Sequence, residues 1–414
     1  MGQSQVDVAQ LQKRDPAAWT ELLRLDLEDE SVRVTAVTAE PIRISKTGPY
    51  RRSVSRYILT LEGCSDPITF IGKLTNREET LFYEELSVHL PTLAPRCLYT
   101  HLNEESQQDR YGWVVLEDAP NDYTAVAWTP NDAEALVEQL AALHAFFWQR
   151  GDDLHNLGIP HFIEGKTYSW NDLRRDRAVY FEQGPAAILS QHAIRNAGRL
   201  APTLLEAANG LTVIRSLDGW PGILGESHMQ AVADLLDDPV PMLEPLKHLP
   251  PTLFHGNPHS HHWHISLLGD YRLLDWHDLR IGPGLFDLVS FMEQFDLLYE
   301  NDSRSQIVVR PERPITDETI IDSYLLTMSA RLGAEFDARA VRMAIPAARC
   351  LYVLSSWLPH FATWFSEMPN KYTWQKINHM SDEQLTGTAF HSIIQFRPYL
   401  SGVFDRFLQA HKTL

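Results

Sequence analysis

The spacing of apolar residues changes character along the chain. From Pro16 to Leu27, Trp19, Leu22, Leu23 and Leu25 supply an apolar stripe at helical spacing, and Pro16 after Asp15 suits a first helical position, so a short helix is expected. Between about residues 31 and 74 the segments SVRVTAVTAEPIRI, SVSRYILTLEG and DPITFIGKL are rich in β-branched residues, with Gly48, Pro49, Gly63 and Pro67 as punctuation. These are strand and turn signals, and they predict an antiparallel sheet. A helix is expected over roughly 76–89, NREETLFYEELSVH, followed by strands in RCLYTHL and YGWVVLEDA on either side of the polar NEESQQD.

After residue 120 the pattern is mostly helical. The best-marked helix is TPNDAEALVEQLAALHAFFWQR. Thr129 can cap it, Pro130 fits the next position, Asp132 stands where a capping-box acid belongs, and Leu136, Leu140, Leu143 and Phe147 share one face. A strand-rich segment followed by a helix-rich one predicts an α+β pair of lobes. The expected division is a helical extension over 1–30, a sheet-bearing lobe over 31–119 and a helical lobe over 120–414, with the boundary near Asp118 to Asp122. The aromatic run RCLYVLSSWLPHFATWFSEM, residues 349–368, reads as a helix interrupted at Pro359. Core packing is the favoured reading, with an acceptor pocket walled by Trp357, Phe361 and Trp364 as the alternative.

Composition narrows the classes. With 414 residues, 44% hydrophobic and 22% charged, the chain is long enough for two lobes of a soluble globular protein. A net charge of −18 argues against a nucleic-acid backbone as partner. No run of about 18 apolar residues predicts a membrane span. Three scattered cysteines, Cys64, Cys97 and Cys350, indicate neither a disulfide framework nor a zinc ribbon. A cytoplasmic protein is the expectation.

Candidate chemistry concentrates in TLFHGNPHSHHWHISLLGDYRLLDWHDLRIGPGLFDLVSF, residues 252–291. A short apolar strand ends at His255-Gly256, a histidine-rich loop follows, a second strand delivers Asp275, and a Gly-Pro turn leads into a helix. This series resembles the catalytic core of the aminoglycoside phosphotransferase and choline kinase superfamily: His255, Gly256, Asp275, Trp276, Gly282, Pro283, Asp287 and Leu288 match in order and spacing. The resemblance runs from about residue 45 to 295. It implies a protein-kinase-like two-lobed fold, an antiparallel N-lobe sheet with a helix, and a larger helical C-lobe. It also implies ATP and Mg²⁺ as cofactors and a small-molecule hydroxyl as acceptor. Lys73 in FIGKL stands where the family's nucleotide lysine would be, and Glu79 is the match for its helix partner, with Glu78 as the less favoured choice. WVVLEDA resembles the hinge strand that holds adenine through backbone groups around Leu116, Glu117 and Asp118. His144 reads as a histidine bracing the catalytic loop, and Asp287 as a ligand of that loop's backbone.

Phosphoryl transfer is chiefly positioning and charge stabilisation. A lysine neutralises phosphate oxygens, a glutamate holds the lysine, and a carboxylate such as Asp275 holds Mg²⁺. The loop departs from the family at two places. Asn257 stands at the position of the family's base, a role that contributes about 10²- to 10⁴-fold in rate and that an amide does not perform. His262 stands at the second metal position, where imidazole suits a transition metal better than Mg²⁺. The glycine loop is also weak: SKTGPYRRSVSRY holds only Gly48, and Arg51, Arg52 and Ser53 read equally as phosphate contacts or solvated turn residues. Three readings stay open. They are an active phosphotransferase; a pseudokinase that binds nucleotide or a protein partner; and a metal-dependent reaction using the cluster His255, His259, His261, His262, His264 and His277.

Overall fold

The computed structural model describes residues 6–44, 53–103, 111–119, 124–173, 189–299, 307–310, 312–365, 368, 370–386, 388 and 396–414. Gly48, Arg51 and Arg52 lie outside them. The chain forms two compact units. One comprises Met1–Ala127, Leu157–Ile159 and His261–Leu279; the other comprises Trp128–Asn156, Pro160–Ser260 and Arg280–Leu414.

The first unit is built on a five-stranded antiparallel sheet: β1 (Val34–Ile44), β2 (Ser53–Leu61), β3 (Ile68–Asn76), β4 (Cys97–Leu102) and β5 (Tyr111–Glu117), in the order β1-β2-β3-β5-β4. Helices α1 (Val8–Gln12) and α2 (Pro16–Leu27) cover one face, each capped by an aspartate, Asp7 and Asp15. The expected α2 is present, but Leu25 is exposed, and Trp19, Leu22 and Leu23 make the buried stripe. Trp19 packs on Tyr57 (ring centroids 5.0 Å) and Phe70 (6.2 Å), and its indole N–H donates to the Leu11 carbonyl (3.1 Å). Side chains alternate across a strand, so with Phe70 and Gly72 on the Trp19 face, Lys73 and Thr75 point to the other. There lies α3 (Arg77–Leu81), capped by Asn76 Oδ1, which accepts from the Glu79 N–H at 3.1 Å. The helix expected over 76–89 continues as a π turn at Phe82–Leu86 and a 3₁₀ turn at Ser87–His89.

The second unit is helical around short strands. Its α4 (Pro130–Phe146) has the expected capping box: Thr129 Oγ1 accepts from the Asp132 N–H, and Asp132 Oδ2 accepts from the Thr129 N–H at 2.7 Å. Thr252–Phe254 pairs antiparallel with Arg280–Gly282, and His161 bridges Ile281 in parallel from the other side. The helices used below are α5 (Gln191–Ala197), α6 (Ala201–Ser216), α7 (Val240–Lys247), α8 (Leu285–Gln294), α9 (Asp317–Leu332), α10 (Ala338–Tyr352), α11 (Leu358–Trp364) and α12 (Arg397–His411). The break in the aromatic run is a π turn at Val353–Trp357, so it precedes Pro359, which sits in the first turn of α11. Trp357 and Phe361 are buried and meet Phe396, Tyr399 and Phe404 at centroid distances of 5.6–6.0 Å, an arrangement of core packing.

Two contacts fix the helix packing. A Cβ on Gly210 of α6 would stand 1.8 Å from the Leu358 carbonyl oxygen of α11, so only glycine permits that approach. Glu293, buried on α8, receives Arg406 of α12 through Nε (3.1 Å) and Nη2 (2.5 Å), with Arg349 Nε of α10 3.3 Å away. Arg349 also pairs with Asp317 of α9.

Gly210→Ala is expected to lower unfolding stability by about 1–3 kcal/mol through overpacking, read from urea unfolding. Glu293→Gln strips a buried charge from its partners and is expected to cost about 3 kcal/mol or more. An unchanged urea midpoint in either variant would contradict the corresponding contact.

Candidate active site

In the first unit a buried lysine is held between two carboxylates. Lys73 leaves β3 on the face opposite Trp19, and its Nζ donates to Glu79 Oε1 at 2.7 Å and to Asp275 Oδ1. Glu79 is fully buried, so each of its oxygens needs donors. Oε1 also accepts the Trp276 N–H (3.2 Å), and Oε2 accepts the Thr75 hydroxyl. Trp276 stacks on Phe82 at 3.9 Å, which seats the segment after Asp275 against the π turn. Burial alone would push the Lys73 ammonium toward neutrality, but Asp275 and Glu79 overcome it and raise its pKa.

Asp275 follows the hairpin of Trp263–Ile265 and Tyr271–Leu273 and adopts the left-handed conformation, φ 67° and ψ 60°. Such backbone costs a non-glycine residue about 1–2 kcal/mol and gathers at functional positions. Its Oδ1 also meets His277 Nδ1 at 2.8 Å, and its Oδ2 meets His262 Nε2 at 3.3 Å. Burial opposes ionisation of Asp275, yet Lys73 and the two imidazoles hold its carboxyl well below the usual range. Burial likewise opposes charge on His277, but Asp278, 3.1 Å from its Nε2, and Asp275 raise it to about 9.

The hinge-like residues are also in this unit. Leu116 is buried in β5, the Asp118 carboxylate pairs with Arg56 of β2 (2.5 Å), and Glu117 Oε1 accepts from the Arg96 N–H (3.0 Å) and stands 3.4 Å from Arg272 Nε. The protein itself engages both acidic side chains.

In the second unit the strand Thr252–Phe254 delivers His255, Gly256 and Asn257. Gly256 has φ 91°, the left-handed region that favours glycine. The Asp287 carboxylate of α8 accepts the His255 N–H (2.7 Å) and the Gly256 N–H (2.8 Å). His144 Nε2 donates to the same carboxylate at 3.3 Å, and its Nδ1 meets the Tyr324 hydroxyl at 2.9 Å. His255 is fully buried, and its Nδ1 accepts the Asn257 N–H at 3.2 Å. Asn257 Oδ1 accepts from Gln294 Nε2 (3.2 Å), which also donates to Ser290.

His255 turns into its own loop, His262 and His277 go to Asp275, and His264 Nδ1 donates to the Ala119 carbonyl at 3.0 Å. Among the described residues no group of three or more His, Cys, Asp or Glu side chains is arranged to hold a metal ion, and no helix is long and apolar enough to cross a membrane. Mg²⁺ needs no protein cage: it is usually held by one or two carboxylates together with substrate phosphates and water. Asp275, strongly ionised, fits as one such carboxylate. Reading the sequence did not single out Thr75, Gln294 or the pairing of His277 with Asp275. For His277 the signal was its place two residues after Asp275.

The model of the phosphotransferase enzyme family matches residues 52–313, and the chain belongs to that family. Comparison with curated protein sequences finds no match. Among solved structures, a choline kinase from Cryptosporidium parvum Iowa II is similar, with 11% identity over 91% of this chain and 89% of its own and a TM-score of 0.42. A Plasmodium vivax ethanolamine kinase shares 10% identity over 89% of this chain and 83% of its own, at a TM-score of 0.44. A choline kinase from Streptococcus pneumoniae shares 11% over 93% and 98%, at 0.37. Nothing about this chain's substrate follows from likenesses this distant.

Since the His277 pKa is raised in the folded state, the stability it contributes is complete below the unfolded imidazole value of about 6.5 and is lost as pH rises through about 9. In metal-free protein, His277→Gln is expected to flatten the fall of the urea midpoint across that window. An unaltered slope would show that His277 is not held as a cation.

Proposed function

We infer that the chain binds ATP and transfers its terminal phosphoryl group to a hydroxyl of a small molecule. The observation that carries this reading is the buried triangle of Lys73, Glu79 and Asp275. An ammonium fixed by two carboxylates is a poor device for stability alone, because desolvating three charges costs several kcal/mol per ion. It is a good device for presenting a preorganised positive charge to phosphate oxygens. In this reading Lys73 meets the phosphates, Glu79 holds it in place, and backbone at Leu116–Asp118 receives the base. Mg²⁺, held by Asp275, would neutralise phosphate charge when bound, with His262 steadying the other side of that carboxylate.

The acceptor oxygen bonds to phosphorus as the bond from phosphorus to the ADP oxygen breaks. In a loose transition state the attacking hydroxyl keeps its proton until late, and the proton then passes to the transferred phosphoryl oxygens. Asn257 takes no proton. Its amide oxygen is hydrogen-bonded to Gln294, so its part is to position, while His255, Asp287 and His144 hold the loop that carries it.

That same amide favours a second reading, a pseudokinase that binds nucleotide, or through it a protein partner, without turnover. The two readings separate experimentally. ATP with Mg²⁺ at 100 times its Kd is expected to stabilise the wild type by about 2.7 kcal/mol and to leave Lys73→Ala unmoved; no shift in the wild type at millimolar ATP would end both readings. Given binding, acceptor-dependent ATP consumption by the wild type, rising about 10²-fold or more in Asn257→Asp, supports transfer. Consumption by Asn257→Asp alone supports the pseudokinase.

A further inference from the structure

Positive charge gathers at one more place, inside the second unit. An open cleft of ≈ 300 Å³ is formed by the loop 163–167, the last turn of α5, Gly198 and the end of α7. Lys166, Arg195 and Lys247 line it, against a single carboxylate, Glu164. The chain as a whole has 36 basic and 54 acidic residues, so three cations facing one acid run against its charge balance. Among the described residues Arg195 has no carboxylate partner. The carboxylate that Lys247 meets among the described residues is Glu244, at 3.1 Å one helical turn away in a part-buried pair. Lys166 Nζ rests 4.3 Å from the Tyr168 ring centroid.

The wall of the cleft is fixed by its backbone. Gly198 has φ 55°, and a Cβ there would stand 2.3 Å from the Ile163 carbonyl oxygen. That carbonyl accepts the Arg199 N–H (2.8 Å), and Arg199 Nε donates to the Glu164 carbonyl (2.8 Å). The loop is thereby pinned to the turn between α5 and α6.

Strand register puts the cleft away from the loop of Asn257. Phe254, which leads into that loop, lies opposite Arg280, and Thr252 lies opposite Gly282. The bridge of His161 to Ile281 is parallel, with Ile281 N–H donating to Pro160 and Phe162 N–H to Ile281. The chain therefore passes beyond Phe162 at the Gly282 end, opposite to the end from which Asn257 emerges.

We propose that this cleft binds a doubly charged oxyanion, the phosphate group of a small phosphomonoester, at a site that shares no residue with that of Lys73. Arg195 supplies a planar fork matched to phosphate, the two lysines supply point charges, and Thr167 adds a hydroxyl. The volume is at the lower end for small-ligand sites, about 300–1,000 Å³, which suits a compact ligand. Binding relieves the mutual repulsion of three cations. The inference does not depend on ATP or on turnover.

The test is calorimetric titration of the full chain with inorganic phosphate at ionic strength matched with sodium chloride. Saturable binding is expected, weakened about tenfold or more by Arg195→Gln or Lys166→Gln, as loss of a charge-assisted hydrogen bond implies. Arg195→Lys should retain part of it, and Lys371→Gln should retain it fully. Arg195 and Lys166 are exposed, so the variants should fold, which thermal melts verify. Undiminished phosphate binding in the Arg195→Gln/Lys166→Gln double variant overturns the proposal. So does absence of saturable binding at matched ionic strength.

Discussion

The first unit depends on one fully desolvated carboxylate. Glu79 has no access to water, and its charge is tolerable only because three donors reach it: the Lys73 ammonium, the Thr75 hydroxyl and the Trp276 N–H. Those donors come from β3 and from the segment after Asp275, and Glu79 itself stands on α3. The consecutive β3 and α3 and a segment 197 positions further on are therefore held to one geometry by a single requirement, that no buried charge be left alone. The left-handed backbone at Asp275 can persist because this surrounding set over-determines it.

The second unit solves the same problem with a carboxylate that serves backbone. Asp287 satisfies two consecutive N–H groups at a glycine turn, and His144, oriented by Tyr324, supports it from behind. None of these groups needs to touch a substrate to matter. They fix where residue 257 stands, and that holds whether it is an aspartate or the asparagine found here.

Much of this could be read from the chain beforehand, and the reasons are local. The capping box at Thr129 and Asp132, the alternation that puts Lys73 opposite Phe70, and the spacing of Lys73 to Glu79 all involve residues a few positions apart. The ordered series from His255 to Leu288 carried the long-range part, since it resembles a known family in which those segments meet. What escaped were pairings that no short pattern encodes. Gln294 reaches Asn257 across 37 positions, and Arg406 reaches Glu293 across 113. The π turns also escaped, because Phe82–Leu86 and Val353–Trp357 have ordinary helical composition and are widened by what packs around them. The break in the aromatic run was misplaced at Pro359 for that reason: proline in a first helical turn is compatible with the helix it begins.

The clasp between Glu293 and Arg406 also bears on how the protein is made. Synthesis is vectorial, and the acid leaves the ribosome 56 residues before Arg349 and 113 residues before Arg406, the two guanidiniums that meet it. In that interval α8 cannot settle into its buried place without stranding a charge. The sheet-bearing unit has all its segments by Leu279 and meets no such delay. The nascent chain is thus expected to carry a finished sheet-bearing unit and an apolar, still open helical one, the kind of exposed intermediate on which chaperones act.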